Sequence, residues 1–186
     1  RADLAFELGE GAHLFSTDGK SYLDFAAGVA VNALGHNHPR LVKALTDQAG
    51  KLWHVSNLYR VPGQEELARK LVAASFADSA FFCNSGAEAV EAGIKIVRKY
   101  QAATGHPERY RIISFDSSFH CRTLSTIAAA DNAAHVSGFG PMPDGFDQVS
   151  FGNLNELRNA ITPETAGIIV EPIQGEGGIR LSNAEF

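Results

Sequence analysis

The chain has 186 residues, 45% of them hydrophobic and 20% charged, with a formal net charge of −5. That balance excludes a disordered polar chain, and the absence of any basic run argues against nucleic acid or an anionic membrane as partner. Two cysteines, Cys83 and Cys121, lack Cys-x-x-Cys or Cys/His ligand spacing, and neither a secretory pattern nor an apolar run of membrane-spanning length occurs. We therefore expect a reduced, cytoplasmic protein without a metal centre. The first residue, Arg1, reads as an artificial or processing boundary.

Leu4 to Phe15 and Tyr22 to Phe25 are half-apolar segments, and Thr17-Asp18-Gly19-Lys20 between them predicts the tight turn of one N-terminal hairpin. Gly28 to Gly35 has apolar residues without a period and reads as an irregular packed segment. His36-Asn37-His38-Pro39 follows. Two histidines one residue apart invite a metal reading, but Asn37 or His38 capping a helix that opens on Pro39 fits the pattern better. That helix is expected to run to about Leu52, with Leu41, Leu45, Ala49 and Leu52 buried. After a loop from Trp53 to Pro62, Gln64 to about Ala74 predicts a second helix, Leu67 and Leu71 inward and Glu66 paired with Lys70 outside.

The most informative stretch comes next. Ala80 to Cys83 reads as a short buried strand broken by Asn84-Ser85-Gly86, and a helix then runs through Tyr100. Val90, Ile94 and Val97 share one helix face, and Glu91 and Lys95 stand four apart on another. Ser85-Gly86-Ala87-Glu88 is open to two readings: a capping box with no ligand, or free N–H groups beside near-bare residues, where a phosphate can approach. Arg111 to Phe115 reads as a second strand and Asp131 to Phe146 as mostly loop. Val149 to Phe151 reads as a short strand, Asn153 to Ile161 as a helix, and Ala166 to Val170 as a third clear strand. Alternating strands and helices predict an α/β fold, a mainly parallel sheet with helices on both faces. In such sheets ligands bind outside the carboxyl ends of the strands. The Asn-Ser-Gly-Ala turn, Phe119-His120-Cys121-Arg122 and Glu171 with its glycine-rich tail are then expected to converge on one cleft.

Three of these blocks resemble the signatures of the class III pyridoxal-phosphate aminotransferases: Asn84-Ser85-Gly86-Ala87-Glu88-Ala89, Phe119-His120-x-Arg122-Thr123 and Val170-Glu171-Pro172-Ile173-Gln174-Gly175-Glu176-Gly177-Gly178. Gly28-Val29-Ala30-Val31 with Leu34-Gly35-His36 and Pro39 is similar too, and the subgroup most resembled is the acetylornithine and succinylornithine aminotransferases. The resemblance implies the large domain of a type I pyridoxal-phosphate transferase, incomplete here. Residues 1–40 would be an N-terminal segment with a hairpin, and 41–186 part of the cofactor-binding domain. It further implies pyridoxal 5'-phosphate as cofactor, N-acylornithine and 2-oxoglutarate or glutamate as substrates, arginine metabolism as the setting, and a homodimer. By the same resemblance Gly86 and Ala87 would present N–H groups to the cofactor phosphate with Ser85 beside them. Phe119 would stack on the pyridine ring, Glu171 would lie near its edge, Arg122 would bind a substrate carboxylate and Glu176 would be the gating carboxylate.

Two departures stand out. Cys121 replaces the glycine usual between the histidine and arginine, so a backbone needing a glycine conformation there would displace Phe119 and Arg122. None of Lys20, Lys43, Lys51, Lys70, Lys95 and Lys99 stands in the motif of the family's Schiff-base lysine, which is expected outside these residues, leaving this stretch inactive alone. Alternatives are another class III specificity (ornithine, succinylornithine or 4-aminobutyrate), or a non-catalytic module holding at most a phosphate-bearing ligand. A dinucleotide oxidoreductase is weak: no G-x-G-x-x-G occurs, and Asp116 is the nearest candidate for a ribose-binding acid.

Overall fold

A computed structural model describes residues 2–130, 132–183 and 185–186. Packing divides the chain into two units, Arg1–Ser79 and Ala80–Phe186.

In the first unit β1 (Phe6–Glu10), β2 (His13–Ser16) and β3 (Ser21–Leu23) form an antiparallel meander in that order. The expected hairpin thus has a third strand. Gly11, at φ +56°, turns the chain between Glu10 and His13, so the segment from Leu4 to Phe15 is two strands and not one. The Asp18-Gly19 turn joins β2 to β3 as expected, with Gly19 at φ +81° and the Ser16 hydroxyl bonded to the Asp18 carboxylate. His36 bridges back to Gly11 through two backbone bonds of 2.8 and 3.0 Å, while its Nε2 lies 2.7 Å from Asp24 Oδ2. Between these anchors runs α1 (Ala27–Ala30), a single irregular turn in which Gly28 and Val29 are left-handed.

Two longer helices complete this unit, α2 (Pro39–Ala49) and α3 (Pro62–Ala73), each opening on its proline. His38 occupies the N-cap position of α2, but its side chain makes no capping bond. Glu66 and Lys70 pair at 2.8 Å. The expected burial of the leucine stripes does not occur: Leu41, Leu45 and Leu52 remain 54%, 73% and 53% exposed, and Ala49, Leu67 and Leu71 are exposed as well. A helical period identifies the face that gains from cover; it does not supply the cover.

The second unit opens on α4 (Gly86–Ala103), then β4 (Arg111–Phe115), α5 (Leu124–Ala130), α6 (Ala133–Val136), β5 (Phe146–Val149), α7 (Leu154–Ala160), β6 (Thr165–Ile168), β7 (Ile173–Gln174) and β8 (Arg180–Leu181). The sheet has the order β5-β4-β6 and is parallel, with Ile112 opposite both Phe146 and Gly167. Ile113, Phe115 and Val149 form its core, closed by Phe151, Leu157 and Phe186. Arg111 ties β4 to β5 through a bidentate pair with Asp147 at 2.6 and 2.9 Å. On α4, Ile94 is buried and Val90 and Val97 are half-buried, as the period predicts. Val97 approaches so near that a Cβ on Gly167 of β6 would lie 3.1 Å from it.

Ala80–Cys83 is not a strand: it finds no ladder partner among the described residues, and an apolar run becomes a strand only by pairing. The strand expected at Val149 to Phe151 lies three residues earlier, at Phe146–Val149. Part of the expected loop from Asp131 to Phe146 is the short α6; Asp131 itself lies outside the described residues. The sequence reading also missed α5, whose Thr126 to Ala130 are all buried. A small-residue helix covered on every side shows no amphipathic period.

Candidate functional site

The turn before α4 is fixed by its own side chains. Ser85, extended at φ −153° and ψ 160°, caps the helix by accepting the Glu88 N–H at Oγ, 3.2 Å away. Glu88 reaches back, but to the Asn84 N–H at 2.7 Å rather than to that of Ser85. Bonds from Asn84 and Ser85 hold the Glu88 carboxyl below the usual carboxylate range. The capping reading is therefore correct, and it leaves the other reading open as well. The N–H groups of Gly86 and Ala87 take no partner among the described residues, so the first turn of an 18-residue helix still offers two donors.

The second segment follows β4. Phe119 donates its N–H to Glu171 Oε2 at 3.0 Å, which binds this loop to the end of β6. The Arg122 guanidinium lies over the Phe119 ring, 5.4 Å from its centre, and His135 meets that ring edge-on at 6.4 Å. Thr123 donates to Glu91 of α4 at 2.6 Å. Glu91 is thus engaged by the loop, and the expected pairing with Lys95 is absent among the described residues.

Cys121 sits at φ +78°, the left-handed region that favours glycine. Its thiol lies over the start of α4: a Cβ on Gly86 would stand 3.1 Å from Cys121 Sγ. Glu171 is half-buried, and burial, with a smaller push from the charge of Glu176, raises its carboxyl above the ordinary glutamate value against the opposing Phe119 N–H. Glu176 is exposed on the turn between β7 and β8. His120 is buried with no partner at Nε2 among the described residues, and burial lowers its pKa, which favours the neutral ring.

Gly86, Cys121, Phe119, Arg122 and Glu171 are thereby joined contact by contact, with Ser85 and Ala87 adjacent in the chain, whereas Glu176 reaches the group through charge. Among the described residues the arrangement provides two free donors for an anion, an aromatic face, an exposed cation lying over it and two carboxylates. Sequence reasoning passed over the link from Thr123 to Glu91, because i to i+4 spacing pointed to Lys95 and no local pattern announces a loop-to-helix bond.

The model of the aminotransferase class-III family matches residues 2–186. The chain belongs to that family. It is 61% identical over 186 residues to an acetylornithine aminotransferase of Brucella melitensis, all of this chain but 46% of that protein. Among solved structures, the N-acetylornithine aminotransferase of Stenotrophomonas maltophilia matches with a TM-score of 0.84 and 39% identity, over 100% of this chain and 46% of that one. An ornithine aminotransferase of Toxoplasma gondii, whose structure has partial occupancy of pyridoxal phosphate at its active site, matches with a TM-score of 0.91 and 30% identity over 98% of this chain and 44% of that one. The family expected from the motifs is thus the right one, and the fold is that of the type I pyridoxal-phosphate aminotransferases. The chain spans about 46% of the length of the curated relatives it matches.

Proposed function

We propose that the protein to which this chain belongs is a pyridoxal-phosphate aminotransferase of the acetylornithine type, moving the side-chain amine of an N-acylornithine to 2-oxoglutarate. The observation that carries the reading is the joining of three distant sequence blocks through Gly86, Phe119 and Glu171, in a chain 61% identical to an acetylornithine aminotransferase. The residues present fit the cofactor: two unpartnered N–H groups at a helix start suit its phosphate, and at Gly86 the 3.1 Å left to Cys121 Sγ favours a residue without a side chain.

When bound, pyridoxal phosphate supplies an electron sink for the carbon that loses its proton. The chain's own part is binding and orientation. Gly86 and Ala87 hold the phosphate, with Ser85 beside them. Phe119 presents an aromatic face to the flat ring, and its N–H bond to Glu171 fixes the height of that face while bringing a carboxylate to the ring's edge. Arg122, already on the Phe119 side of the site, grips a substrate carboxylate with its planar fork. Glu176 balances the pocket between a substrate bearing an amine and one bearing a second acid.

The same reading makes residues 1–40 an N-terminal segment and 41–186 part of the cofactor domain. It also makes the protein a cytoplasmic homodimer of arginine biosynthesis whose covalent lysine lies outside these residues. Three of the six lysines here are engaged in ion pairs with Asp18, Asp47 and Glu66. Glutamate formation from N-acetylornithine and 2-oxoglutarate by the intact protein tests the proposal. Turnover of ornithine, succinylornithine or 4-aminobutyrate in preference would move the specificity within the family, and no amino transfer to 2-oxoglutarate would overturn it.

A further inference from the structure

We infer that Gln174 and Arg180 clamp the turn that carries Glu176 onto Asp116, and that this clamp sets the selectivity between amine-bearing and acidic substrates. The inference rests on the role of Glu176 proposed above.

The turn has little of its own to hold it. β7 and β8 are two residues each, and the residues between them include Gly175, Gly177 and Gly178, so this hairpin lacks the length to be rigid by itself. Gln174 and Arg180 are direct register partners at its base. Both reach the same residue at the end of β4. Gln174 is 1% exposed and donates from Nε2 to the Asp116 carbonyl at 2.8 Å. Arg180 Nη1 lies 3.7 Å from Asp116 Oδ1, with its guanidinium 5.7 Å from the centre of the Phe151 ring. Asp116 is itself held, because Oδ1 accepts the Phe151 N–H at 2.9 Å.

A third contact closes the clamp. Any Cβ on Gly177 would lie 2.8 Å from the Ser117 carbonyl, so the residue after Glu176 packs backbone against backbone. Each strand at the base of the turn, and the turn itself, is thus tied to residues 116 and 117, the start of the loop that bears Phe119 and Arg122. A buried glutamine whose Oε1 takes no partner among the described residues is a costly way to fill space, and an apolar residue would do that better. What the amide provides is a directional bond. It holds the turn that bears Glu176 against the start of the loop that bears Phe119 and Arg122, and so fixes where the Glu176 charge stands.

The test uses the full-length protein and two readouts. Without substrate, amide hydrogen exchange at Gly175 to Ile179 is expected to be about tenfold faster in Gln174→Met and Arg180→Met than in the wild type, since opening of that turn no longer breaks the ties. In steady state, Glu176→Gln shifts the ratio of kcat/KM for N-acetylornithine to that for 2-oxoglutarate. Gln174→Met shifts it in the same direction, adds nothing further in the Glu176→Gln background, and Arg180→Lys restores most of what Arg180→Met loses. Unchanged exchange, or faster exchange with an unchanged ratio, overturns the clamp while leaving Glu176 in its role. A ratio insensitive to Glu176→Gln overturns that role and the clamp with it. Arg180→Met alters a partly exposed side chain, so the exchange measurement survives if the buried Gln174 variant fails to fold.

Discussion

Replacing Cys121 separates two effects that its unusual backbone combines. A residue with a Cβ at φ +78° carries a left-handed cost of roughly 1–2 kcal/mol, which glycine avoids. Glycine also loosens the unfolded chain, which takes back roughly 0.4–1 kcal/mol. Cys121→Gly is therefore expected to be more stable than Cys121→Ala by about 0.5–1 kcal/mol, because both lose the thiol and only the first loses the strain. Urea denaturation of the two variants, compared by midpoint at equal slope, measures the difference. An alanine variant as stable as the glycine variant would refute the strained backbone. Cofactor titration then reports on the seat. Cys121 Sγ stands 3.1 Å from where a Gly86 Cβ would be, so removing the thiol widens the seat in both variants. Tighter binding in both assigns the effect to thiol bulk, and tighter binding in the glycine variant alone assigns it to the placement of Phe119 and Arg122.

Ser85→Ala removes the cap that accepts the Glu88 N–H and is expected to cost about 1 kcal/mol, read by denaturant unfolding. His120 has a depressed folded pKa, so the unfolded chain takes up its proton first; the stability it contributes is full above about pH 6.5 and declines as pH falls below that value. His120→Leu should flatten the decline in stability as pH falls below about 6.5, and an unaltered slope would remove this histidine as its source. Glu171 is raised instead, so the folded state holds its proton longer and stability falls as pH climbs from the ordinary glutamate range toward neutrality. Glu171→Gln keeps an oxygen for the Phe119 N–H and should lose that decline; a variant less stable than wild type at neutral pH would contradict it.

The parts of the fold carried by a single segment were predictable. β4 stands at Arg111–Phe115 as expected, and α2 on Pro39 and α4 behind its capping Ser85 begin where those residues mark them; α3 begins two residues before the expected Gln64, on Pro62, which the loop was expected to include. What failed depended on partners distant in sequence. Among the described residues, Ala80–Cys83 has strand composition without a neighbouring strand, and Leu41 and Leu45 have a helical period without a covering surface. In the site, the resemblance of three blocks to the family's motifs pointed to Phe119, Arg122 and Glu171, and they do stand together. The bonds from Gln174 to Asp116 and from Thr123 to Glu91 were invisible, since a polar residue's partner across the fold leaves no trace in its local pattern.

The place of β4 in the middle of its sheet has a consequence during synthesis. It is translated first, yet its neighbours on either side, at Phe146–Val149 and Thr165–Ile168, emerge later, and each parallel pairing must wait for a crossover segment. Until Gly167 has left the ribosome, Ile112 has at most one flank covered, and the loop bearing Phe119 has no Glu171 to receive its N–H. A nascent chain paused between Val149 and Thr165 would carry an open, apolar edge, and is where a chaperone would find its target.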